Sequence, residues 1–351
     1  MTRDFACVLA AAAVTLSGAL GAQAQEKYPD RPIRLVVPFA PGGETNLIGR
    51  MWAQKVAPHL GGAIVVDNRP GGGGAVGATE VARAKPDGYT LLAGTTTTQV
   101  INPAATANPP YDALKDFVAI GIVSTTPTAI IVNPALPAKT LQELIALARA
   151  NPGKYSYGSA GQGTITNLTG ELFRQLAGGL DFVHIPYKGG GPAMQDLIAG
   201  HIPVLTPILS STVIGHHRAG RARILAINGE TRLKAAPDIP TAIESGLPDM
   251  KVVVFNAVFA PAGTPRAVID ALVQATAKAK ADPGFAADLE RAGAEMVADS
   301  MLAPESMVIA SPTARPETLA TLMLVTPTGV TVPRSVPAAC ALVSGAVSVK
   351  L

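Results

Sequence analysis

The 351-residue chain predicts an α/β fold of two domains with a cleft between them, and three observations carry that expectation. Short apolar runs alternate with helix-like segments from Ile33 onward, the rhythm of an open sheet covered by helices. Glycine-rich turns stand where strands hand over to helices, at 36–46 (VVPFAPGGETN) and 157–167 (YGSAGQGTITN). Two apolar runs, 118–132 and 252–259, read as strands suited to crossing between domains. One domain is then built from both ends of the chain and a second is inserted between them, in keeping with a length beyond the usual single core.

The elements follow in order. A strand at 33–37, a helix at 46–56, a strand at 63–66, a helix at 75–84 and a strand at 90–93 make the first series. Lys85-Pro86-Asp87-Gly88 supplies the turn before the third strand, and the run Thr95 to Thr98 ends it, at the strand end that faces the ligand crevice in open sheets. A stretch rich in Pro and Ala, 102–110, precedes the first crossing strand. The second series has a helix at 141–150, a strand at 155–157, a helix at 166–177, a strand at 182–185, a helix at 192–199, and strands near 202–205 and 224–227. The second crossing strand leads through Ala260-Pro261-Ala262-Gly263-Thr264-Pro265 into a helix at 266–280.

Composition narrows the function. Hydrophobic residues at 48% leave ample core, whereas charged residues at 15%, a net charge of +3 and the lack of a long basic run give nucleic-acid binding no support. Arg3, an apolar stretch over 5–20 and the small-x-small Ala22-Gln23-Ala24 read as a signal peptide cleaved after Ala24, giving an exported, soluble protein. Asp4 departs from the usual positive flank, so an uncleaved anchor is the rival reading. Cys7 lies inside the apolar run, not at a lipobox end, and Cys340 is then the only cysteine of the mature chain, which rules out an intramolecular disulfide there and a cysteine-rich zinc site.

The chemistry concentrates in the turns. Backbone N–H groups at a helix N-terminus lack intrahelical partners and sit at the positive end of the macrodipole, so a Gly-rich strand-to-helix turn can hold an anion without a charged side chain. In 38–43 (PFAPGG) this role falls to the backbone, with Thr45 or Asn46 capping the helix; Glu44 must then point away from an anionic ligand. The turn reads equally as a tight connection. In 158–164 (GSAGQGT) Ser159 and Thr164 add hydroxyls, while the Gly-Lys-Ser/Thr of a P-loop and the complete dinucleotide fingerprint are both missing. A third glycine turn, 184–191 (HIPYKGGG), could bring Tyr187 and Lys188 to the cleft or leave them as a packing tyrosine and a solvated lysine. The loop 67–74 (DNRPGGGG) is read as structural, with Asp67 and Arg69 paired, and His216-His217 as a solvated turn without ligand spacing for a metal. No Gly-x-Ser-x-Gly elbow is present, no catalytic constellation stands out, and no cofactor is expected.

The ordered motifs 28–33 (YPDRPI), 36–43, 67–72 (DNRPGG), 86–90 (PDGYT), 157–164, 186–196, 237–241 (PDIPT) and 260–265 (APAGTP) resemble the extracytoplasmic substrate-binding proteins of tripartite tricarboxylate transporters, the Bug or TctC family, over about 28–300. The resemblance implies a two-lobed, Venus-flytrap periplasmic-binding fold of type II, with a small organic carboxylate held in the cleft largely by backbone amides and ordered water. It implies lobe 1 from 25–125 and 250–300, lobe 2 from 126–249, and membrane permease subunits as partners. Carried onto this sequence, the ligand residues are Phe39, Ala40, Gly42, Gly43, Thr45, Asn46, Thr95, Thr96, Ser159, Gly161, Gly163, Thr164 and Asn167, with Tyr187 and Lys188 as further candidates.

Departures from the family pattern are Asn46 for Asp, Asn167 for His and Phe255 near a usual Trp, which points to a shifted ligand preference. From Met301 the tail carries only Glu305, Arg315, Glu317, Arg334 and Lys350 as charges, where relatives end in a charged amphipathic helix; a shifted reading frame or a degenerate C-terminus is the expectation there. A monomeric, non-enzymatic binding protein is the reading that results, with an exported hydrolase or isomerase and a sensor subunit as its rivals.

Overall fold

The structure is a computed structural model that describes residues 28–106 and 108–297. The expected signal peptide and the tail from Met301 lie outside the described residues.

Strands β1 (Ile33–Val37), β2 (Ile64–Asn68) and β3 (Thr90–Thr95) form a parallel core, with β1 between the other two. Helix α1 (Glu44–Leu60) returns the chain from β1 to β2, and α2 (Ala75–Ala82) from β2 to β3. After β3 the chain makes a π-helical turn, Thr97–Ile101, and a single helical turn, α3 (Asn102–Ala105). Residues 102–110 are therefore not wholly irregular.

Strand β4 (Phe117–Pro127) joins the first sheet, and β5 (Ala129–Val132), one residue on, belongs to a second. The second sheet is completed by β6 (Tyr155–Ser159), β7 (Phe182–Pro186), β8 (Val204–Leu205) and β9 (Arg223–Ile227), in the order β7-β6-β8-β5-β9. Its helices are α4 (Leu141–Arg149), α5 (Ile165–Leu176), α6 (Gly190–Ala199) and α7 (Ser211–Arg218). The chain returns through β10 (Val253–Pro261), which pairs antiparallel with both β3 and β4, and ends in α8 (Arg266–Lys280), α9 (Pro283–Arg291) and β11 (Glu295–Met296). The first sheet runs β11-β4-β10-β3-β1-β2. Adjacent crossings hold the sheets together: the Thr128 amide donates to the Val252 carbonyl, and the Val252 amide to that of Asn228.

Each sheet is covered on both faces, as its parallel strands require. Ile33, Leu35 and Val37 of β1 pack with Ile48, Trp52 and Val56 of α1 and with Leu272 and Phe285, while Val36 and Leu92 point the other way to Ala78 and Val81 of α2. In the second sheet Ile130 and Val132 meet Phe173 and Leu144, and Ala129 and Ile131 meet Met194 and Leu197. This alternation is the period-2 pattern of a doubly covered strand.

Two sequence expectations are corrected. His216 and His217 occupy the last turn of α7, not a solvated turn, and His216 is buried; the helix is anchored by Ser210, whose hydroxyl accepts from the Val213 amide at 3.2 Å. Helix α1 begins at Glu44 with Gly43 as its N-cap and no side-chain cap, so Thr45 and Asn46 lie inside the helix and neither caps it. The expected Asp67–Arg69 pair is present at 3.0 Å, within a network in which Arg34 also bonds Asp67 and Glu80.

Candidate functional site

The loops that follow β1, β6 and β7 meet where the two sheets face each other. The Ala40 amide donates to the Lys188 carbonyl at 3.1 Å, and the Ile165 amide at the start of α5 donates to the Thr97 hydroxyl at 3.1 Å. Glycine makes this approach possible: a Cβ on Gly191 would lie 2.1 Å from the Pro41 carbonyl oxygen.

Between these contacts lies a cavity of about 40 Å³. Its walls are the starts of four helices: Gly43, Glu44 and Thr45 of α1, Thr164 to Thr166 of α5, Gly190 of α6, and Ser210, Thr212 and Val213 of α7. Neither α1 nor α6 has a side-chain cap. Four positive helix ends converge, and the described lining residues include no lysine or arginine. A second cavity of about 250 Å³ is lined by Gly71 to Gly74, Gly161, Gln162, Tyr187 and Lys188; Phe39 and Ala160 line both and form their common wall.

Of the residues expected to bind ligand, Phe39, Gly42, Gly43, Thr45, Thr95 and Thr164 line the smaller cavity, and Phe39, Gly161, Tyr187 and Lys188 the larger. Ala40, Asn46, Thr96, Ser159, Gly163 and Asn167 line neither. Ala40 bridges the sheets through its amide. The Thr96 hydroxyl accepts from the Phe255 amide at 3.0 Å, and Asn46 is buried in α1. Asn167 accepts from the Gly163 amide at 3.0 Å and donates to the Tyr157 hydroxyl at 2.8 Å. The hydroxyls proposed for the second turn are engaged within it. Thr164 caps α5, accepting from the Asn167 amide at 3.3 Å, and donates to the Gly161 carbonyl at 2.7 Å.

Ser159 Oγ lies 2.7 Å from His184 Nε2, and His184 Nδ1 is 3.1 Å from Gln162 Oε1. The arrangement has the outline of a nucleophile, base and orienting group, but Ser159 is 0% exposed and borders neither cavity. Burial lowers the His184 pKa, and its ring stacks on Tyr157 at 4.9 Å, so the group serves as packing for the β6–α5 turn.

Sequence reasoning missed Glu44 and the α7 start. Glu44, expected to point away, lines the cavity and is buried; its Oε1 accepts from Thr126 Oγ1 at 2.8 Å and from Asn256 Nδ2 at 2.7 Å. Burial pushes its carboxyl up to about 7, against the hydrogen bonds from Thr126, Asn256 and Thr45. Ser210 carried a readable signal, since a serine followed by Thr and Val at 212–213 is an ordinary helix start.

Two sheets joined by paired crossing strands, with a cavity at the helix starts between them, define the two-lobed fold of a solute-binding protein. Residues 48–316 match the tripartite tricarboxylate transporter family receptor, and the chain belongs to that family. The match continues past Met301 into the tail. A UPF0065 protein of Bordetella pertussis is 37% identical over 84% of this chain and 90% of its own length. The solved periplasmic binding protein BugD is 35% identical, with a TM-score of 0.73 over 77% of this chain and 89% of its own. MatC from Rhodopseudomonas palustris, solved with bound malate, is 28% identical, with a TM-score of 0.76 over 84% of this chain and 98% of its own.

Proposed function

We infer that the protein captures a small organic carboxylate in the smaller cavity and delivers it to the membrane permease subunits of a tripartite tricarboxylate-type transporter. The observation that carries this reading is the convergence of four helix N-termini on a cavity whose described lining has no lysine or arginine. Backbone amides and helix dipoles stabilise an anion there, and each hydrogen bond to a charged group contributes about 1.5–3 kcal/mol. The family and the malate found in MatC support an organic acid. Lobe 1 comprises 25–125 and 250–300 and lobe 2 comprises 126–249, with the ligand favouring closure because only the closed form contacts it from both sides. Cleavage after Ala24 places the protein in the periplasm, where it works as a monomer without covalent chemistry.

The test is a thermal-shift screen of the chain from Gln25 onward against small carboxylates, followed by calorimetry and product analysis. Saturable stabilisation without turnover supports the reading. Turnover makes the protein an enzyme, and capture of a receptor in place of a permease makes it a sensor subunit.

A further inference from the structure

Glu44 is the one ionisable side chain among the described residues lining the smaller cavity, and it is only 4% exposed. Two strands fix one of its oxygens: Oε1 receives both the Thr126 and the Asn256 hydrogen bonds. The other, Oε2, has among the described residues only a 3.5 Å contact with the neighbouring Thr45 hydroxyl. A second observation marks the same spot. Thr95 lines the cavity, is 1% exposed, and its hydroxyl has no hydrogen-bond partner among the described residues. Thr95 pairs directly with Asn256 across β3 and β10, so both side chains stand on one face of the sheet, beside the carboxyl that Asn256 holds.

The cavity therefore has two chemically different parts. Helix starts supply donors and positive potential, whereas Glu44 supplies an acceptor. We propose that Glu44 makes this cavity selective for a small carboxylate that also carries an ammonium group, and against one that carries a second carboxylate. This rests on the carboxylate reading above. An ammonium beside Oε2 forms a charge-assisted hydrogen bond in a site shielded from water. A second ligand carboxylate there meets a like charge that no lining cation offsets, and one of the two groups must take up a proton. The raised pKa of Glu44 agrees with this geometry: burial penalises its charge, and a ligand ammonium would offset that penalty.

The experiment is calorimetric titration at pH 8 of the chain from Gln25 onward with 4-aminobutyrate and with succinate, which are similar in length and differ in the terminal group. Wild type binds 4-aminobutyrate about tenfold or more tightly than succinate, and Glu44→Gln reduces that ratio to near one by weakening the amine and admitting the diacid. Equal or reversed preference in wild type overturns the assignment, and this measurement does not depend on a variant that folds. A preference that persists in folded Glu44→Gln also overturns it, while leaving the carboxylate reading in place. Binding of neither compound, when a wider panel of carboxylates also fails, overturns both.

Discussion

Gly191→Ala separates lobe closure from folding. The residue sits in the first turn of α6 with an ordinary backbone conformation, so alanine fits the helix and stabilises it by up to about 1 kcal/mol. Its Cβ, however, would stand 2.1 Å from the Pro41 carbonyl oxygen, where an unstrained carbon–oxygen contact is about 3.3 Å, so the two backbones must part by about 1 Å. Pro41 follows β1 of the first sheet and Gly191 follows β7 of the second, so the strain falls on the arrangement in which these two loops touch, which the proposed closure requires. Overpacking of this kind costs about 1–3 kcal/mol, which translates into about 5- to 150-fold weaker ligand binding when closure and binding are coupled. The assay is calorimetry with the tightest carboxylate from the screen, beside small-angle scattering with and without it. Gly215→Ala in α7 is the control, because its added Cβ meets nothing within 4 Å; it leaves binding unchanged. Wild-type affinity in Gly191→Ala would refute the argument that these glycines set the closed geometry.

Three further outcomes follow from buried groups. Gly170→Ala in α5 places a Cβ 2.1 Å from the ring of Tyr157, which is held by its stack on His184, and lowers stability by about 1–3 kcal/mol in thermal denaturation. Trp52 is 0% exposed and donates to Thr276 at 3.3 Å; Trp52→Ala costs about 3–5 kcal/mol, read by circular dichroism because it is the chain's single tryptophan. Glu44 binds a proton more tightly in the folded state, at about 7 against 4.5 for the free side chain, so its contribution to stability is present below pH 4.5 and is lost as pH rises to about 7. That loss is about 3 kcal/mol, and Glu44→Gln flattens it in denaturant titrations across the same range.

Most of the fold was legible because turn chemistry and apolar periodicity agreed. Pro265 before a periodic run located α8 at Arg266–Lys280, and the long apolar runs marked the strands that link the sheets. Helix α7 escaped because Gly215 and the adjacent histidines interrupt its short apolar face, and α9 because Pro283 and Gly284 at its start read as a turn. At the site, glycine turns were visible for the same reason that they matter, since backbone that approaches backbone must omit the Cβ. Hydroxyls were less readable. Ser159 and Thr164 sit in the expected turn, yet local hydrogen bonds occupy them, as Ser and Thr near helix starts commonly are.

Glu44 shows the limit most clearly. A glutamate at a helix start reads as a solvated residue favoured by the dipole, and nothing nearby in sequence says otherwise. Its partners lie 82 and 212 residues away, on the two long strands that only the folded topology brings beneath α1. Backbone amides at helix starts have little side-chain signature, and on the proposed reading they attract many small acids alike. Discrimination then falls to the few side chains that depart from that uniform surface, and here the departure is a single carboxyl whose position depends on the crossing strands rather than on the turn that carries it.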